Sequence, residues 1–254
     1  MDFSFNAEDL RSILKNIVQQ HFQDVMFEDN AESPARLIEA MQKAVDVMER
    51  ADADARANLD AKTEARAPTA SDQDITQIGG YALTLIEAIA DYVQSDVDRQ
   101  SPQMFNQDLM RLSTVVAYWI ASHGGRIDRI EMVVNAFAGY ANHLRGAKEL
   151  ADLCPIIRSI IAAVSDDIRM DLEQTNPMRP WRILNLNYGI VATRSHDPRL
   201  IEEAYDLLIE NLPNDAREFF REGMKQMDLV GYPQNVREVV EKYDQMWGSD
   251  STLH

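Results

Sequence analysis

Cysteine is almost missing from this chain: Cys154 stands alone among 254 residues. One thiol makes no internal bridge and no thiolate zinc site, so a reducing, cytoplasmic setting is the simplest expectation. Glycine is scarce as well, 10 in all, which argues against a turn-rich β protein. No uninterrupted apolar run approaches the ~20 residues a membrane span requires. The first ten residues carry Asp2, Glu8 and Asp9 but neither a basic n-region nor an apolar h-region, so no secretory leader is expected. Basic residues are outnumbered, 25 against 42 acidic ones, for a formal charge of -17. Such a balance repels a phosphate backbone and an anionic membrane surface, so neither nucleic acid nor membrane is expected as a partner.

Motifs of recognisable chemistry are missing too. Val18, Ile120, Tyr140 and Thr193 stand three residues before His21, His123, His143 and His196, so the Glu-x-x-His pair of a di-iron or di-manganese bundle is not there. No two histidines have the zinc-protease spacing. Asp52 and Asp54 begin like a calcium loop, but Arg56 takes the next ligand position. The chain also lacks GxxxxGK, GxGxxG and GxSxG. No catalytic residue, metal ligand or cofactor is therefore assigned, and a non-enzymatic role is favoured.

What the chain does have is helical periodicity. Phe105, Leu109, Leu112, Val116 and Trp119 recur at steps of four and three, which keeps large apolar groups on one side of a helix. Ser101 and Pro102 suit its first turn, and Gly124 with Gly125 supply the positive φ that a helix C-terminus wants. A second seam starts at Ile127 and runs through Ile130, Val134, Phe137, Ala141 and Leu144. A turn this short predicts that the two helices fold back on each other as a central antiparallel hairpin.

The same reading extends along the chain. Asn6 with Asp9 predicts a capped first helix with Leu10, Leu14, Ile17, His21 and Val25 on one face. Ser33 and Pro34 open a second, with Leu37, Met41, Ala44, Val45 and Met48 inward, giving an N-terminal helical hairpin over residues 1–50. Residues 51–73 are Ala-rich and charged, with Leu59 the lone large apolar residue before Pro68; they read as a helix extension or a linker. The main helical domain is then 74–254. Its third helix starts near Asp74, with Gly79 and Gly80 permitting a close crossing. Pro155 interrupts the seam from Leu150 to Ile168 and favours a short helix followed by a longer one. Pro180, Pro198, Pro213 and Pro233 each precede an amphipathic segment. Alternate members of that series are a little over thirty residues apart, the length of a helix-pair repeat, although tetratricopeptide consensus side chains do not follow. The expected fold is all-α: eight to ten helices in successive antiparallel hairpins, a multi-helix bundle or a short, helical-repeat-like α-solenoid.

Single residues offer little chemistry. His21, Asp24 and Glu28 share one helix face, a pattern that a solvated helix end explains. His123 ends the Trp119 seam, where an imidazole caps well. Cys154 lies on an apolar seam and reads as a small hydrophobe. The stretch around Met178, Arg179, Trp181 and Arg182 has the composition of an interface core, and Arg194 and His196 join it only if the chain folds back. Against this, tryptophan in a helical protein usually packs inside while arginines stay in water. Asn185 and Asn187, set beside Tyr188 among apolar residues, offer one amide for burial, and an amide that is buried must be hydrogen-bonded. The leading expectation is a non-catalytic adaptor or assembly factor with a protein partner. A small-molecule-binding or enzymatic pocket near Trp181 and Tyr188 is one rival, and a structural homodimer is another.

Overall fold

The structure, a computed structural model, describes residues 3–22, 33–60, 69–95 and 102–248. Among these residues there are eleven helices and no strand, so the protein is all-α. Ten are α1 (Ala7–His21), α2 (Pro34–Asp60), α3 (Asp72–Ser95), α4 (Pro102–Ser122), α5 (Glu131–His143), α6 (Ala147–Ala163), α8 (Pro180–Ser195), α9 (Pro198–Asn211), α10 (Pro213–Val230) and α11 (Gln234–Gly248). The remaining one, α7, is a single turn at Asp166–Arg169.

Local signals set the helix starts. Asn6 accepts the Asp9 amide at 3.1 Å. At α3, Ser71 and Asp74 cap reciprocally: the Asp74 amide donates to Ser71 Oγ at 3.2 Å and the Ser71 amide to Asp74 Oδ2 at 2.9 Å. Pro34, Pro102, Pro180, Pro198 and Pro213 are the first residues of their helices, a position where the missing N–H costs nothing. Pro155 differs. It sits inside a continuous α6, not at a new start. Its ring lies on the exposed side, where water can reach the carbonyl it leaves unbonded, while Leu153, Cys154, Ile156 and Ile157 stay buried.

The chain forms two compact units, one of Asp2–Ala136 with Ala162–Ser165, the other of Phe137–Ile161 with Asp166–His254. In the first unit α1 packs on α2 and α4, α2 on α3, and α3 on α4, closing a ring of four helices. Phe5 meets Trp119 while Asp9 pairs with Arg111, so α1 and α4 run in opposite directions. Leu10, Leu14, Met41, Val45, Ile86, Leu112 and Trp119 fill the centre. At Gly79 a Cβ would collide with the Ile120 side chain; only glycine allows α3 so near α4. Gly124 takes φ of 82° and ends α4.

The expected central hairpin is not how α4 is used. Its extensive packing is on α3 and α1, and α5 begins only at Glu131. Ile127 belongs to an irregular stretch: its N–H donates to the Ala163 carbonyl at 2.9 Å and its carbonyl accepts from Ser165 at 2.8 Å, an isolated parallel bridge to Val164.

In the second unit α8 packs on α9, and α9 lies against α10 and α11, which also pack on each other. Tyr205 sits at the centre, with Phe219, Phe220 and Tyr243 around it at ring separations of 4.9 to 5.6 Å. Tyr205 and Thr193 share a 2.8 Å hydrogen bond between their hydroxyls.

Candidate functional site

Between α7 and α8 the chain makes a loop held by its own polar groups. The Asn176 amide donates to the Glu173 carbonyl at 2.8 Å, and Asn176 Oδ1 accepts the Met178 amide at 2.9 Å, a turn that asparagine forms readily. Asp171 has φ of 50°, the left-handed region that aspartate tolerates better than most residues. Arg179 then takes φ -57° and ψ 133°, the extended conformation imposed on a residue before proline.

The Arg179 guanidinium lies under this loop, only 7% exposed. It donates to Asp171 at 2.5 Å, to Asp215 of α10 at 3.3 Å, and to the carbonyls of Gln174 and Asn176 at 3.2 and 3.1 Å. Arg182 binds the other oxygen of Asp215 at 2.6 Å and the Pro177 carbonyl at 3.0 Å. The hydrogen bond it donates to Asp171 pushes the Arg179 guanidinium further up, so it stays charged. A desolvated cation is tolerated only with partners on most of its donors, and Arg179 has them. Gln174, Thr175, Pro177, Arg179, Arg182, Asn214 and Asp215 border an open depression of about 190 Å³.

The same loop exposes three apolar side chains. Met170 is 63% exposed, Leu172 84% and Met178 72%.

The other predicted residues lie elsewhere along α8. Trp181 is buried core. Asn187 and Tyr188 are buried further along. Arg194 donates to the carbonyls of Ala141 and Leu144 at the end of α5, the latter at 2.8 Å. His196 takes φ of 60° at the α8 C-terminus and meets Tyr232 edge-on at 5.6 Å. Since α8 has sixteen residues and spans roughly 24 Å, these residues do not converge on one pocket. The structure brings Met178, Arg179 and Arg182 together and leaves Asn187, Tyr188, Arg194 and His196 apart. Trp181 Nε1, Asn187 Nδ2 and the Tyr188 hydroxyl are buried without a hydrogen-bond partner among the described residues. Asn185, by contrast, bonds to the Trp181 carbonyl at 2.9 Å and to Asn211 at 2.8 Å.

Sequence reasoning missed Asp171 and Asp215. One signal for them existed: neither Arg179 nor Arg182 has an acidic residue three or four positions away, so each needed a carboxylate from elsewhere. His123 does cap α4, with Nδ1 2.9 Å from the Trp119 carbonyl. Cys154 behaves as core: its thiol donates to the Leu150 carbonyl at 3.3 Å, and burial pushes it up to about 12. The His21 side chain, Asp24 and Glu28 lie outside the described residues, as do residues 61–68 of the charged stretch. Among the described residues no group of histidine, cysteine and carboxylate side chains is arranged to hold a metal, and no helix is long and apolar enough to cross a membrane.

No known protein family matches this chain, and no curated protein or solved structure is significantly similar to it.

Proposed function

We propose that the protein is a non-catalytic interaction module, an adaptor or assembly factor, and that it docks its protein partner on the loop between α7 and α8. One observation carries this reading: Met170, Leu172 and Met178 are largely exposed on a segment that Arg179 fastens to α10. Single exposed apolar residues are ordinary, but three on one fastened loop amount to a presented patch. A loop already ordered loses little entropy on binding, and methionine adapts to the partner it meets. Arg182 at the rim supplies the cation that interface cores favour.

The test uses surface substitutions that leave the ion pairs alone. Leu172→Asp and Met178→Asp, singly and together, are compared with wild type in affinity capture from the native cell extract. The expected outcome is loss of a specific co-purifying protein at unchanged thermal stability; equal recovery of every bound protein refutes the loop as the docking surface. Trp181→Ala is unsuitable for this purpose, because Trp181 is core and its removal acts through stability.

A second reading has an observation of its own. The unpartnered polar atoms of Trp181, Asn187 and Tyr188 are what a small ligand near α8 would satisfy. Native mass spectrometry of protein purified without denaturant separates the two readings: a retained small molecule favours the ligand site. Light scattering after gel filtration addresses the homodimer, which predicts twice the monomer mass.

A further inference from the structure

The exposed apolar side chains of the loop between α7 and α8 are set among acids. Leu172 follows Asp171 and Met178 precedes Arg179, so the 2.5 Å ion pair between Asp171 and Arg179 draws those two apolar residues to the same part of the loop. The Met170 amide donates to the Asp166 carbonyl at 2.9 Å, which puts Asp166 one helical turn from Met170 and on its side. Asp166, Asp167 and Glu173 are exposed. Arg169, also exposed, is the one basic residue between positions 166 and 178. Arg179 and Arg182 do not redress the balance, because their guanidinium groups are held by Asp171 and Asp215, which they neutralise in turn. What remains in water around Leu172 and Met178 is acidic.

Resting on the reading of this loop as the docking surface, we propose that the partner presents a cationic amphipathic segment, with apolar side chains on one face and lysines or arginines beside them. The apolar face meets Met170, Leu172 and Met178, where the two unbranched thioethers adapt to whatever shape arrives. The flanking cations meet Asp166, Asp167 and Glu173. Complementary charge at the rim of an apolar contact sets which partner is accepted and how fast it arrives. The whole chain adds to this, since a formal charge of -17 draws a cationic segment in from a distance and turns an acidic one away. The same sign argument rules against phosphate-bearing chains and anionic lipid as occupants. It also rules against a second copy of this chain, because a two-fold contact through the loop would set its acids against themselves.

Two labelled helical peptides with the same leucine face test this on the full chain, one carrying lysines on its polar face and the other glutamates. Fluorescence anisotropy at about 150 mM salt is expected to show the lysine peptide binding roughly tenfold or more tightly than the glutamate peptide. Asp166→Lys and Glu173→Lys should each weaken it about threefold to tenfold, and the double variant Leu172→Ser, Met178→Ser about tenfold or more. Glu238→Lys is the control for net charge: it is exposed, and its neighbour Arg237 pairs with Asp228, roughly 20 Å beyond Asp215 along α10. It should leave the affinity within about twofold. All these positions are exposed, so thermal midpoints should stay at the wild-type value. The two readings fail differently. Equal affinity for both peptides, lost in the double variant, overturns the cationic partner and keeps the loop as the docking surface. Lysine-peptide binding that ignores the double variant, or that falls as far with Glu238→Lys as with Glu173→Lys, overturns the proposal together with the loop. Absence of binding by either peptide overturns the cationic partner.

Discussion

Arg179 and Arg182 are three positions apart and share Asp215, yet removing them should have different consequences. Arg179→Ala strands the largely covered carboxylate of Asp171 and frees two loop carbonyls, a loss of about 3 to 5 kcal/mol. Arg182 is less buried, and without it Asp215 still has Arg179, so Arg182→Ala should cost about 1 kcal/mol. Urea unfolding compares the two; equal costs would mean that Arg179 is not the hub. Cys154 gives a second check. Its thiol stays protonated in the fold well beyond the ordinary thiol range, so native protein should resist iodoacetamide at pH 8 and 9.5 and react fully once unfolded. The sign of the linkage is fixed by that shift. The buried neutral thiol contributes its full stability below the unfolded thiol's ordinary pKa, and the contribution is lost as pH climbs toward about 12. At this scale the sequence was legible where one residue's chemistry decides, as with the Asn6 cap or the buried Cys154. It was opaque where a partner comes from a distant element, as Asp215 does for Arg179.

Elements were more legible than contacts. The apolar steps predict burial that the structure shows at Leu10, Leu14 and Ile17 of α1, at Leu37, Met41, Ala44, Val45 and Met48 of α2, and at Leu150, Cys154, Ile157 and Ile161 of α6, because a helix repeats its own geometry. Two features escaped that logic. Pro155 can stay inside α6 because its unbonded carbonyl is on the solvated side, which periodicity alone does not show. Ile127 is buried like a helical residue but bonds to the backbone of residues 163 and 165, a pairing without a local signature. The adjacent glycines of α3 give an element-scale prediction. Gly79→Ala drives a methyl into Ile120 and should destabilise by about 1 to 3 kcal/mol. Gly80→Ala meets nothing nearer than an Asp128 oxygen at 3.5 Å and should stabilise, since alanine is the better helix former by about 1 kcal/mol. Opposite shifts in unfolding midpoint are expected; two losses of similar size would show that α3 and α4 do not approach at Gly79.

For the molecule as a whole, charge sets a testable trend. A formal charge of -17 repels itself most strongly in the folded state, where the groups are closest. The thermal midpoint should therefore rise as sodium chloride goes from about 10 to 150 mM, where the screening length falls from roughly 30 to 8 Å. A falling midpoint would mean that surface pairs such as Arg11 with Asp46 and Glu49 outweigh the repulsion. The all-α class could be read from composition and spacing. The partition into two units could not, because it depends on contacts such as Ile127 with Val164 that join stretches far apart in sequence. That bridge bears on how the protein is made. A chain emerging from the ribosome has the four-helix ring complete in sequence well before Ala162–Ser165 is translated, so Ile127 must wait for its backbone partners until all of α6 has followed. A fragment stopped at Ala136 would always lack them, and the natural product of synthesis at that moment is a bundle with its last seam still unsewn.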